Sequence, residues 1–79
     1  MKPLEIKGAR TRLGYTQQYV ADQLGITVLS YRNKESGRVR FTDPEKIALV
    51  RVLQLTLEQF NDFLFDGRLP AGTISAANR

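Results

Sequence analysis

The sequence predicts an all-α domain, a compact set of five short helices with no strand. Two observations carry that prediction. Apolar residues recur three and four positions apart, the spacing that gives a helix one buried stripe. The stripes are also punctuated: Thr16, Thr27, Thr42 and Thr56 stand where N-caps belong, and Gly14, Gly25, Gly37 and Gly67 stand where helices stop. A third observation sets the scale. Seventy-nine residues make one domain, near the small end of chains that fold alone.

The first helix runs from Pro3 to Leu13. Pro3 suits a first helical position, where its missing N–H costs nothing. Ile6, Ala9 and Leu13 supply the inward stripe, with Lys2, Lys7, Arg10 and Arg12 around it. Gly8 weakens this helix by about 1 kcal/mol relative to Ala and is expected to allow close helix approach. Tyr15 leads into the second helix as a staple residue near Val20. Thr16 caps that helix, Val20, Ala21 and Leu24 form its buried face, and Gly25 ends it. Thr27 caps a third helix almost at once, running to about Glu35. Phe41 reads as an apolar anchor for the loop that follows. Thr42 and Glu45 form a capping box for a fourth helix reaching about Gln54, with Ile47, Val50 and Leu53 or Gln54 on its core stripe. A second box, Thr56 with Gln59, opens a fifth helix to about Phe65, whose inward face holds Phe60 and Leu64. The domain is expected to span residues 3–66, with 67–79 a flexible tail of small and polar residues.

Composition excludes several functions. With no cysteine and no histidine, thiolate or imidazole metal sites, disulfides and imidazole catalysis are ruled out. No nucleophile–base set or phosphate-binding glycine loop is present, so the chain reads as a non-enzyme without cofactor, metal or small-molecule substrate. No apolar run nears the roughly 20 residues that span a bilayer, and Met1-Lys2-Pro3 does not start a signal peptide, so a cytoplasmic protein is expected. Twelve Lys and Arg against eight Asp and Glu give a net charge of +4, which suits an anionic partner.

The stretch Thr16–Gly37 is the centre of the chain. Two short helices joined by Leu24-Gly25-Ile26-Thr27 make a helix-turn-helix, whose second helix can lie in a DNA major groove. The run LGYTQQYVADQLGIT…ESG, with its Thr-Gln start, mid-helix Ala21, turn Gly25 and Glu35-Ser36-Gly37 close, resembles the lambdoid-phage repressor and Cro family. The variant YRNKESG followed by Phe41 resembles small Cro-like proteins of Gram-positive bacteria and their phages. The likeness covers residues 4–65.

That resemblance implies a set of site residues. Gln17 matches the glutamine that holds a DNA phosphate. Thr27, Val28, Leu29, Arg32 and Asn33 match exposed positions of the recognition helix. Arg38 and Arg40 match a basic loop that contacts the DNA backbone or reaches toward the minor groove. Arg10 and Glu35 match a structural ion pair. The chain departs from the family at Val28 and Leu29, where relatives often carry polar base-reading residues, at Lys34, usually a buried apolar position, and in its tail.

Chemistry supports part of this set. Arginine can pair with guanine O6/N7 and asparagine with adenine N6/N7, each worth about 1–3 kcal/mol of discrimination, which makes Arg32 and Asn33 the best candidates for base readout, the alternative being that both are solvated polar residues on a surface helix. Val28 and Leu29 have three readings: contact with thymine methyls, burial against the second helix (Leu29 above all), or contact with another protein. Gln17 is a good helix former as well as a phosphate ligand, and Arg38 suits a plain surface charge as well as a phosphate contact. Lys34 is expected to lay its stem on the core and extend its amine to solvent. Phe63 and Phe65 are surplus to the fifth helix's inward face and point to a dimer or partner surface. The expected function is a sequence-specific regulator of an operator in double-stranded DNA, in a bacterial host cell, acting as a homodimer. The alternative is an antirepressor that binds a partner repressor in a phage switch.

Overall fold

The computed structural model describes residues 1–65, with the side chain of Phe65 excepted. Its helices are α1 (Pro3–Arg12), α2 (Gln17–Leu24), α3 (Val28–Glu35), α4 (Asp43–Val52) and α5 (Leu57–Phe65), with no strand among the described residues. The expected tail at 67–79 and the boundary at 66 lie outside them, as does the side chain of Phe65. No helix of the described residues is long and apolar enough to cross a membrane.

The threonines open the helices as their chemistry requires. The Thr16 hydroxyl accepts the Tyr19 N–H at 3.0 Å, and that of Thr27 accepts the Ser30 N–H at 3.1 Å. Thr42 and Thr56 form reciprocal boxes with Glu45 and Gln59, each side chain accepting the other's backbone N–H. Four helices end alike. Gly14, Gly25, Gly37 and Gln54 adopt positive φ, and the residue after each donates its N–H back to a carbonyl five positions earlier. The fourth helix therefore stops at Val52, two residues short of expectation, because Gln54 occupies the left-handed position at φ 55°.

The core is built from Ile6 and Ala9 of α1, Val20 and Ala21 of α2, Tyr31 of α3, Phe41, Leu49, Leu53, Leu55, Phe63 and Leu64. Two expectations about faces are corrected. On α4 the buried row is Leu49 and Leu53, while Ile47 is 53% exposed. The row begins one turn earlier at Glu45, whose carboxylate turns inward to Lys34, so a charged residue heads the apolar stripe and hides it. On α5, Phe63 is not on a partner face: it is 7% exposed and packs in the core beside Leu64, with Phe60 only half-buried. The N-terminal strap explains this. The Lys2 N–H donates to the Phe63 carbonyl at 2.8 Å and the Lys2 ammonium pairs with Asp62, holding α1 across that face of α5. Gly8 serves no close approach either: it is exposed, and a Cβ there would meet no atom within 4 Å.

Candidate DNA-binding surface

The turn between α2 and α3 is set by backbone chemistry. Gly25, at φ 72°, lets its own N–H reach the Asp22 carbonyl and that of Ile26 reach the Ala21 carbonyl at 3.0 Å. Half-buried Ile26 packs on the core, and Thr27 starts α3 immediately. Helix α3 is thereby divided lengthwise. Tyr31, Lys34 and Glu35 face inward and are buried, whereas Thr27, Leu29 and Arg32 are exposed, with Val28, Ser30 and Asn33 half-buried between them. The expectation that Leu29 is the more buried of the apolar pair is reversed: Leu29 is 61% exposed and it is Val28 that packs against the core.

The inward side of α3 is held by charge. Both Glu35 carboxylate oxygens accept from Arg10, its Nε at 2.7 Å and its Nη2 at 3.2 Å, in the two-pronged geometry that guanidinium favours. The Tyr31 hydroxyl donates to the same carboxylate at 2.7 Å, and Gln17 Nε2 donates at 3.0 Å. The remaining prong of Arg10, Nη1, reaches the Tyr15 carbonyl at 2.7 Å. Burial alone raises the Glu35 pKa, but the bonds from Arg10, Tyr31 and Gln17 together outweigh it, so the carboxyl titrates below its usual range. Burial above all, with the adjacent Glu35 carboxylate, pushes the Tyr31 phenol well up, so it stays a hydrogen-bond donor.

Lys34 departs from expectation. Its ammonium does not extend to solvent but donates to both oxygens of Glu45, at 2.6 and 2.7 Å, in a part-buried pair that ties α3 to the first turn of α4. A position expected to be apolar is satisfied instead by a partner on the facing helix. Desolvation raises the Glu45 pKa, and the bonds that its carboxylate accepts from the Lys34 ammonium and from the Thr42 N–H overcome it, so this carboxyl too titrates low. Among the described residues no buried side-chain nitrogen or oxygen lacks a hydrogen-bond partner.

Beyond α3 the chain returns along its own helix end. The Arg38 and Val39 N–H groups both donate to the Asn33 carbonyl, at 3.0 and 3.2 Å, and Phe41 is buried with its ring 6.0 Å from that of Tyr31. The loop is pinned at both ends, and Arg38 and Arg40 are left exposed between the pins. On the other flank, Lys7, Gln17, Arg32 and Ser36 line a groove of about 450 Å³ with Pro3 and Leu4. Lys7 is a cation that sequence reasoning left as general surface charge. Lys7 stands four residues after Pro3, one helical turn on, so both line the flank of α1 that faces Gln17 of α2 and Arg32 of α3, a placement that no local pattern reveals. Gln17 is not a free polar tip. Its amide nitrogen faces Glu35 and its oxygen faces Arg32 Nε at 3.4 Å, leaving one N–H of the amide uncommitted. Arg32, Gln17 and Lys7 thus share one flank, and Arg38 and Arg40 follow the far end of the same helix.

No curated protein and no solved structure matches this chain. A helix-turn-helix family does: its model matches residues 6–60, from the first turn of α1 into α5. With both capped helices, the left-handed turn and the split faces of α3 in that span, the chain belongs to the Cro/repressor-type helix-turn-helix family of DNA-binding transcription regulators.

Proposed function

We propose that this protein is a sequence-specific repressor of the Cro type, whose helix α3 enters the major groove of an operator half-site. The observation that carries this reading is the division of α3. Its inward residues are locked by Arg10 and Glu45, while Thr27, Arg32 and the half-buried Asn33 remain on the outer side with uncommitted polar groups. In this reading Arg32 pairs with guanine and Asn33 with adenine. Gln17, Arg38 and Arg40 hold phosphates on either side. Two chains bind paired half-sites as a homodimer, and occupancy of a promoter blocks transcription.

The test is selection of duplexes from a random-sequence pool, followed by gel shift. Arg32→Ala and Asn33→Ala should each lose about 1–3 kcal/mol of discrimination at one base pair while the melting temperature holds. Loss of folding in step with loss of binding would sink the assignment.

A second reading has its own support. Leu29 is 61% exposed at a position suited to base readout, where it offers no hydrogen bond. This favours an antirepressor that places Val28 and Leu29 against a partner repressor. It predicts no selected duplex for the protein alone and an altered shift when the partner repressor is added.

A further inference from the structure

We propose that Glu35 and Gln17 act as a strut that positions Arg32 on the DNA-facing side, making both of them determinants of base discrimination. The inference rests on the reading of Arg32 as a base contact, and adds what holds it in place. The bonds form one continuous line. Glu35 is fixed from three directions by Arg10 and Tyr31, and it accepts from Gln17 Nε2 at 3.0 Å. A carboxylate cannot donate, so the Gln17 amide is compelled to turn its nitrogen inward. Its oxygen then points outward, where Arg32 Nε donates to it at 3.4 Å. Were Glu35 a donor, the same amide would reverse and present N–H groups to a guanidinium that has only N–H groups to offer.

The consequence follows from the shape of arginine. Bidentate pairing with a base uses the two terminal nitrogens, so a bond at Nε fixes the plane of the guanidinium without consuming its reading edge. Arginine otherwise loses much rotamer freedom on binding, and a side chain already oriented loses less. Val28 and Leu29 cannot supply this support, since neither carries a polar atom. The strut comes instead from the start of α2 and the inward end of α3. The Nε bond is at the long end of the range, so its expected effect is modest, about two- to tenfold.

Gln17→Met removes both bonds while keeping length and helix propensity, and Glu35 retains Arg10 and Tyr31, so the fold stands. Arg32→Ala first identifies the base pair that Arg32 reads in the selected duplex. Gln17→Met is expected to weaken binding to specific and unrelated duplexes alike through the lost phosphate contact and, beyond that, to lower discrimination at that pair by about fivefold, a loss of discrimination that disappears in the Arg32→Ala background. Equal losses on both duplexes, with discrimination at that pair unchanged, would make Gln17 a phosphate contact alone and overturn the proposal. If the protein selects no duplex, the operator reading fails, and the strut is judged in the free protein. Nitrogen-15 relaxation of the Arg32 Nε–H should then show greater mobility in Gln17→Met than in the parent. Unchanged relaxation would overturn it.

Discussion

At the scale of single residues, stability is concentrated in two inward-facing carboxylates. Glu35 is nearly solvent-free and carries bonds from three other residues. Arg10→Met would leave that charge buried against Tyr31 and Gln17 alone, and a broken buried pair costs about 3–5 kcal/mol. For a domain of this size such a loss is a large share of the total, and a denaturant midpoint should fall sharply without a change in slope. The same carboxylates set the acid limit. Glu35 and Glu45 titrate below their usual 4.5 in the folded chain, so as pH falls the unfolded state takes up protons first. Their stabilisation is fully present above about pH 5 and is lost progressively as pH drops through the lower folded values. Thermal melts should hold level above pH 5 and decline below it, and Glu35→Gln should flatten that decline. An unaltered acid limb in Glu35→Gln would mean that its proton equilibrium is not coupled to folding.

At the scale of helices, most of the design is local and could be read from the chain. Four threonine caps and three turn glycines act through bonds spanning three to five residues, and the element order follows from them. What local pattern could not reveal was which face turns inward where a charge sits on the inward row. Glu45 heads the α4 row and Lys34 lies inside α3. Each reads as a surface residue until the other is placed opposite it. Phe63 was hidden for a related reason, since its cover is the N-terminal strap some sixty residues away. The helix ends give a direct test of the local rules. Gln54 fills at φ 55° the role that glycine fills at φ 88° in Gly37. A non-glycine residue there is strained, so Gln54→Gly should raise stability by about 0.5–1 kcal/mol. Gly37→Ala should cost more than that gain, because its Cβ would also stand 3.2 Å from the Pro3 ring. Thermal melts of the two variants should move in opposite directions.

At the scale of the molecule, the question is how a small net charge becomes a DNA-binding face. A charge of +4 is modest, and its effect depends on placement. Several cations are spent internally: Arg10 on Glu35, Lys34 on Glu45, Lys2 on Asp62. Among the described residues, outside these pairs and that of Lys46 with Asp43, the cations with no acidic partner are Lys7, Arg12, Arg32, Arg38, Arg40 and Arg51, and four of them, Lys7, Arg32, Arg38 and Arg40, lie around α3. The two acids that pack against the inward side of α3 are paired there, Glu35 with Arg10 and Glu45 with Lys34, so neither leaves an unpaired negative charge beside Arg32, Arg38 or Arg40. This arrangement makes a quantitative expectation about salt. If Arg40 and Lys7 each neutralise one phosphate, each alanine variant should reduce the slope of log affinity against log salt by about 0.9, on specific and unrelated duplexes alike. Arg32→Ala should behave otherwise, losing base discrimination with little change in affinity for an unrelated duplex. The measurement is a gel-shift titration over a range of salt for the three variants. A slope unchanged by Lys7→Ala would remove α1 from the interface and confine DNA contact to α2, α3 and the loop after it.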